Sequence, residues 1–557
     1  MYMILKKKKT MKSHTKYLFL GLIAWMTSSC SDFLDTAPLN ALSPATTWKT
    51  EDDARKFAIG CYGGNNYDTP DWEDGGNILY LDCTSDLGYN NFEWENYKSI
   101  GNGTMSPSGS VASFYNFVVI RRCNEFLGRI NDIPFANEQE KKDLIGQVRT
   151  IRAYRYFIMN WWYGGVPIID NYSSAADARV ERKSEEEVKA FVNTELDTAI
   201  GELNAAPAER GRIAKGFAMG LRMRSALYYG DYAKAKEMAN GIIGLGLYSL
   251  EPDYSNLYKI AGQDSKEIMM AVQYVNSTKD LYTVGQMYNN ANGGWSSIVP
   301  TQNLIDMYEM TDGLTKEESS LYDPAHPFAD RDPRMEMTVM YPGMEWSGSI
   351  INTLDKTVGG KDNANYPTSA DNASKTALTW RKYLDEQYAN GIWSTNCCPI
   401  VMRYAEVLLT AAEASNEISG PSDEVYDKLD EVRQRVGMPK VDRTRYATKE
   451  TLRELIRRER AVELAGEGLR RADILRWKDD SGKMLAETVL NGVLERVVGT
   501  VDYSESVPGR RATIDVNAPA SDKKIEDRKF AAHNRYNPIP QGAIDNNPAL
   551  KQNQGYN

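Results

Sequence analysis

The segment ALYYGDYAKAKEMA, Ala226 to Ala239, reads as two helical faces joined by a tight turn. Gly230-Asp231 marks the turn. On either side, alanines stand where two helices must approach and tyrosines fill the wider gaps. The reading places one helix from about Ile213 to Tyr229 and the next from about Tyr232. Neither can bury its apolar face alone, so hairpins of this kind stack on their neighbours and share a core.

Outward from this hairpin the periodicity recurs. Ser184 to Leu203 opens on a capping box, Ser184 with Glu187. Val188, Phe191, Val192, Leu196, Ala199, Ile200 and Leu203 follow on one face at helical spacing. Pro207 and Gly211 mark its break. Further pairs are read at Val111–Ile130 with Glu138–Tyr163 and at Val401–Glu417 with Asp423–Val436, and another helix at Lys449–Ala465. Gly164-Gly165 and Pro167, just past Tyr163, are stop signals. The expected fold is mainly α: a tetratricopeptide-like scaffold of helix pairs carrying a large loop-rich, aromatic-rich insertion.

That insertion is read between about Leu250 and Pro399, where Gly, Asn, Ser, Pro, Tyr and Trp crowd together. NNANGGWSS (Asn289 to Ser297) and GGKDNANYPTSADNAS (Gly359 to Ser374) are typical, and Trp295, Trp346, Trp380 and Trp393 punctuate it. Tyr62 to Met105 has the same texture. Loops this long inside a domain are functional or disordered, and richness in aromatics argues for the first. The expected organisation is residues 1–29 as a signal peptide, 30–249 as an N-terminal helical region with loops, 250–399 as the irregular insertion, and 400–557 as a C-terminal helical region with a tail.

The chain opens with Lys6, Lys7, Lys8, Lys9, Lys12 and Lys16 and no acid among the first 29 residues. A short apolar run follows, YLFLGLIAWM (Tyr17 to Met26), then Thr27, Ser28 and Ser29. This is an export signal and is too short to span a bilayer. Translation from Met11 would also yield a complete signal. The next residue is Cys30, so cleavage before it with lipid on its thiol would anchor the protein, although Thr27 stands where such signals usually carry an aliphatic residue. No later segment is long and apolar enough to span a membrane.

The chain carries 66 basic and 76 acidic residues. Without the six leader lysines the balance is 60 against 76, a net −16. Such acidity argues against nucleic acid as a partner. After Cys30, five cysteines remain: Cys61, Cys83, Cys123, Cys397 and Cys398. An odd number with no CxxC spacing points to no zinc site, and the adjacent Cys397-Cys398 would close a disulfide only with strain. His326 and His533 are the histidines left for a catalytic centre. Glu459, Glu463 and Glu467 share a helix face like the carboxylates of a glycosidase, but Arg457, Arg458, Arg460, Arg470, Arg471 and Arg476 surround them in sequence. An ion-paired structural face is the preferred reading. Asp82 and Asp86 lack a complete calcium loop and are expected to be solvated. No cofactor or metal is expected.

Several stretches resemble SusD/RagB lipoproteins: CSDFLD from Cys30, TTWKTEDDARKFAIGCY (Thr46 to Tyr62), RTIRAYRYFIMNWWYGGVPII (Arg149 to Ile169) and VPTQNLIDMYEMTDG (Val299 to Gly313). DRDPRMEMTVMYPG (Asp330 to Gly343), RYAEVLLTAAEASNE (Arg403 to Glu417), EVRQRVGMP (Glu431 to Pro439) and ERAVELAGEGLRRADILRW (Glu459 to Trp477) continue in order to the ending NPIPQGAIDNNPALKQNQGYN. Gln554 replaces the family's usual proline and Ala543 its frequent glutamate. The resemblance implies a lipid-anchored outer-membrane protein facing the exterior, paired with a SusC-like TonB-dependent transporter. It implies a non-catalytic binder of oligosaccharide, with peptide as the alternative ligand. Two other classes stay open: a secreted glycan-cleaving enzyme and a helical scaffold for proteins.

A sugar ring offers a C–H face rimmed by hydroxyls, which flat aromatic rings cover while polar neighbours bond the rim. Trp72, Tyr89, Trp94, Tyr288, Trp295 and Trp346, all in the two irregular sections, are the candidate ligand-binding residues.

The leader generates a first test: Cys30→Ala should move the protein from the membrane pellet to the soluble fraction. Retention in the pellet after a high-salt wash would rule out lipid on this residue.

Overall fold

In a computed structural model, residues 48–63, 70–170, 174, 176–388 and 391–556 are described. The leader and Cys30 lie outside the described residues. Helices α1 (Glu51–Tyr62) and α2 (Val118–Arg129) pack against α3 (Glu138–Tyr163). From there the helices stack in chain order: α3 on α4 (Glu185–Glu202), α4 on α5 (Lys215–Tyr228), and α5 on α6 (Tyr232–Gly244). Next, α6 packs on α7 (Tyr404–Ser419), and α7 on α8 (Asp423–Gln434) and α9 (Lys449–Glu463). A shorter α10 (Arg470–Arg476) follows. The mainly helical, stacked-pair architecture expected from Ala226–Ala239 is therefore present.

Local chemistry explains most boundaries. Ser184 and Glu187 cap each other's backbone amides at the start of α4. Asp231 accepts from the Lys234 amide at 3.0 Å to start α6, immediately after Gly230 at φ +77°. Gly164 ends α3 in the left-handed region, its amide donating to the Asn160 carbonyl. Two boundaries differ from the sequence reading. Helix α2 starts at Val118 instead of Val111, because Asn116 accepts from the Val118 amide and the Phe114 amide is held by the Tyr163 hydroxyl. Residues 400–403 are a strand, since Ile400 to Arg403 find partners across a ladder before α7 begins.

Strands β1 (Gly88–Asn90), β2 (Ile268–Ala271), β3 (Ile298–Pro300) and β4 (Ile400–Arg403) form two antiparallel ladders, β1 with β3 and β2 with β4. After α10, β5 (Gly492–Glu495) pairs with β6 (Lys524–Arg528). The chain leaves α6, builds the irregular section and returns through β4 into α7, which packs on α6. The β2–β4 ladder draws the two ends of the irregular section together.

Beside that ladder lies a buried ionic network. Arg403, the last residue of β4, reaches Glu267 at 2.6 Å, Glu463 at 2.7 Å and Glu467 at 2.7 Å. Arg334 bridges Asp332 and Glu463, Arg433 bridges Glu309 and Glu459, Arg435 joins Glu267, and Lys382 joins Glu467. Burial pushes the Glu463 carboxyl upward, but Arg435, Arg403 and Arg334 more than reverse this and hold it well below the usual carboxylate range. Burial likewise pushes the Lys382 ammonium down to about 8.

Glu459, Glu463 and Glu467 are thus an ion-paired structural group, buried instead of forming a surface face. Glu467 does not share the helix, because α9 ends at Glu463 and Gly466 and Gly468 turn the chain with positive φ. Their partners are mostly distant in sequence. Of the nearby arginines, Arg460 and Arg476 pair with Asp473 and Glu413, Arg457 with Glu454, Arg458 with Glu309, and Arg470 with Asp86. Arg471 donates to the carbonyls of Thr84 and Asn534.

Asp82 and Asp86 are buried, not solvated. Both Asp86 oxygens accept from Arg470. Asp82 accepts from the Gly466 amide with one oxygen, and its other oxygen has no hydrogen-bond partner among the described residues. Burial raises its carboxyl to about 6 from 3.8. A carboxyl whose folded pKa exceeds its unfolded value favours folding most at low pH, and this contribution is lost as pH rises through about 6. Asp82→Asn keeps the acceptor for Gly466 and removes the ionisation. Its stability relative to the parent should rise by roughly 2 kcal/mol between about pH 4.5 and 7.5 in urea unfolding. Equal differences at both pH values would contradict the assignment.

Candidate ligand-binding surface

In the β1–β3 ladder, Gly88, Tyr89 and Asn90 stand opposite Pro300, Val299 and Ile298, and all six are buried. Such strands are stiff, so the residues just beyond them are held in place. Past β1 the chain turns through Glu93–Glu95, and Asn96 in the left-handed region ends the turn. Just before β3 come Trp295, Ser296 and Ser297, and the Ser297 carbonyl accepts from the Asn91 amide at 2.8 Å. The ladder therefore sets the two irregular sections side by side.

Four aromatic rings meet there. Phe92 stacks on Trp94 with centroids 5.5 Å apart, and Trp94 meets Trp295 edge to face at 5.9 Å. Trp295 lies 4.9 Å from Trp393. Trp94 is 59% exposed and Trp393 36%, while Phe92 and Trp295 are half-buried. Trp393 arrives on a third segment, tied in where the Leu281 amide donates to the Thr395 carbonyl at 2.9 Å. Its indole occupies the space a side chain at position 285 would need: a Cβ on Gly285 would lie 2.4 Å from the ring.

Beneath this cluster Glu95 is buried and receives the side-chain amides of Gln286, at 2.9 Å, and Asn90. Burial pushes its carboxyl up, and these donors, with Ser297 and Tyr80, oppose the rise. Glu95 thus clamps the segment before Trp295 to the one bearing Trp94. Asn91, Glu93 and Asn290 flank the rings in sequence and are at least partly exposed, supplying polar groups near an apolar face.

Of the six aromatic candidates read from the sequence, the structure brings Trp94 and Trp295 together at a surface. The other four turn their rings inward. Trp72 packs on Tyr154 and Phe217, Tyr89 on Val299 and Leu494. Tyr288 is fully buried with its hydroxyl on the Asp385 carbonyl, and Trp346 is buried with the Arg381 guanidinium over its ring. Apolar rings under long loops are more stable against the frame than in water. Trp393 completes the cluster and was not among the six candidates, although it stood among the tryptophans punctuating the insertion.

The remaining sequence candidates offer no chemistry at this surface. Cys61, Cys83, Cys123, Cys397 and Cys398 are buried free thiols. Among the described residues no cluster of His, Cys, Asp and Glu has metal-binding geometry.

Burial separates the two kinds of tryptophan by stability. Trp72→Ala should cost ~3–5 kcal/mol in denaturant unfolding. Trp94→Ala should cost less than about 1 kcal/mol, as expected of an exposed side chain. Equal losses would show that Trp94 is a packing residue.

A sequence model described as the SusD family matches residues 265–556. A SusD-like protein of Formosa agariphila, P2, is 27% identical over 494 residues, covering 83% of this chain and 90% of that one. The starch-binding protein SusD of Bacteroides thetaiotaomicron is 24% identical over 480 residues, covering 78% of this chain and 76% of its own. Among solved structures, a SusD-like carbohydrate binding protein from Bacteroides fragilis superposes with a TM-score of 0.78 at 26% identity, over 91% of this chain and all of that one. With more than half of the chain matched by the family's sequence model and the same fold in its solved relatives, this chain belongs to the SusD family.

Proposed function

We propose that this chain is a cell-surface glycan-binding lipoprotein. It is held at the outer membrane through lipid on Cys30 and delivers oligosaccharide to a SusC-like TonB-dependent transporter without cleaving it. The observation that carries the reading is the partly exposed cluster of Phe92, Trp94, Trp295 and Trp393 on a buried ladder. Rings at this angle and spacing form a curved apolar surface, the complement of a bent oligosaccharide whose C–H faces turn in succession. Loops on a rigid frame are where such recognition works at low ordering cost.

Family membership supports the setting: the relatives named above are called starch-binding and carbohydrate binding. Among the described residues no helix is long and apolar enough to cross a membrane, which is compatible with attachment by lipid. Support for binding without hydrolysis comes from the three buried glutamates. Each of Glu459, Glu463 and Glu467 is engaged by buried cations, and burial and pairing leave none placed to protonate a glycosidic oxygen.

The reading is tested with purified residues 31–557 on a glycan array, followed by calorimetry on the best ligand. Trp295→Ala should weaken that binding by about tenfold or more, the size expected for losing one stacking ring at the centre of a site. The recovered oligosaccharide should be unchanged after long incubation. New reducing ends, or full affinity in folded Trp94→Ala, Trp295→Ala and Trp393→Ala variants, would overturn the reading.

A further inference from the structure

Beside the aromatic surface lies a group of cations that, among the described residues, form no direct ion pair with a carboxylate. Lys98, the first residue of the short helix Lys98–Asn102, places its ammonium 3.4 Å from the Asn91 carbonyl and over the ring of Tyr89. Asn91 also ties in the loop after Gly359: its side-chain amide donates to the Asp371 carbonyl at 2.7 Å. That loop carries Lys375, whose ammonium is held by the carbonyls of Pro367 and Ala370. Arg496 follows directly on β5, whose Leu494 packs on Tyr89 and Val299. All three cationic side chains are partly exposed. Among the described residues none of them forms an ion pair with a carboxylate.

Their mutual proximity has an electrostatic signature. Burial pushes the Lys375 ammonium below the usual lysine value, the nearby Asp371 carboxylate opposes this, and Arg496 and Lys98 add to the fall. Asp371 offsets part of this repulsion without pairing with any of the three cations, and an anion bound among them would offset the rest. The chain as a whole is acidic, with 66 basic against 76 acidic residues, so the grouping does not follow from composition. Asn91 links the two features, since it neighbours Phe92 of the aromatic cluster and touches Lys98.

We propose that Lys98, Lys375 and Arg496 form an anion subsite next to the Trp94–Trp295–Trp393 surface, so that the ligand is an acidic glycan bearing carboxylate or sulfate groups. This rests on the glycan-binding reading and narrows its substrate class. One sugar ring stacks on the tryptophans while the anionic group of a neighbouring sugar sits among the cations.

The test uses matched pairs: polygalacturonate with its methyl ester, and a sulfated galactan with its desulfated form, titrated into residues 31–557. The charged member of at least one pair should bind more tightly by roughly three- to a hundredfold, the combined size of three screened surface ion pairs. Which pair responds separates carboxylate from sulfate. That advantage should shrink between about 0.05 M and 0.5 M salt. Lys375 also anchors its loop, so the variant of choice is Lys98→Gln with Arg496→Gln, which leaves that anchor in place. The double variant should lose most of the preference for charge and keep its affinity for the neutral members. If neutral and charged members bind alike, or the double variant keeps the full preference, the anion subsite is wrong and the glycan-binding reading stands. Absence of binding to any glycan, with the protein folded, would overturn both.

Discussion

The guanidinium of Arg403 is the constraint on which the rest of the structure depends. It sits at the junction between β4 and α7, fully buried, and binds Glu267 from the base of the insertion, Glu463 at the end of α9 and Glu467 in the turn that follows. A charge in that position is tolerable only if every partner is present, because removing an ion from water costs several kcal/mol that incomplete pairing does not recover. The network meets this condition by matching Arg334, Arg403, Arg433, Arg435, Arg458 and Lys382 with Asp332, Glu267, Glu309, Glu459, Glu463 and Glu467. Directional bonds of this kind admit one register. Apolar side chains in the same volume would hold the insertion against the helices, but would tolerate sliding that these forks do not.

That register is passed to the ligand surface through short, dry elements. The β2–β4 ladder closes the root of the insertion, and the β1–β3 ladder joins the insertion to the N-terminal loops. Glu95 and Gln286 bind the loops to each other, and Gly285 leaves the room in which Trp393 lies against Trp295. The rings are therefore positioned before any ligand arrives, and little ordering remains to be done on binding. Four aromatics from the same sections, Trp72, Tyr89, Tyr288 and Trp346, provide the packing beneath the loops.

What could be read from the sequence was what is local. The capping box at Ser184, the turn at Gly230-Asp231 and the stop at Gly164 depend on residues within one helical turn, and each has the expected effect. The strand at Ile400 escaped because its partner, Ala271, lies far away in the chain. The same reason hid the partners of Glu463: spacing put three glutamates on one helix face, but the helix ends at Glu463, and only the fold brings Arg334, Arg403 and Arg435 to it. For the aromatic rings the sequence marked the sections that meet, Trp94 and Trp295 among them, but could not separate exposed rings from buried ones. Whether a tryptophan faces water is decided by which loop lies over it, and Trp346 and Trp393 look alike in composition of surroundings while one is buried and the other exposed.

The distribution of charge gives the proposed surface its physical character. Most buried carboxylates are cancelled by arginines at contact distance, so the excess of acid, 76 against 66 over the whole chain, acts from the outside. At physiological ionic strength such charge is screened over about 8 Å. An anionic polymer would meet net repulsion on approach, and Lys98, Lys375 and Arg496 would act on it only at contact. Association would then be unassisted by long-range steering, and the subsite would work by slowing departure once a sugar lies on the tryptophans. Placing cations beside the aromatic surface, instead of spreading them over the protein, makes charge a criterion for retention: a chain lacking sugars of the right shape would gain nothing from its anions alone.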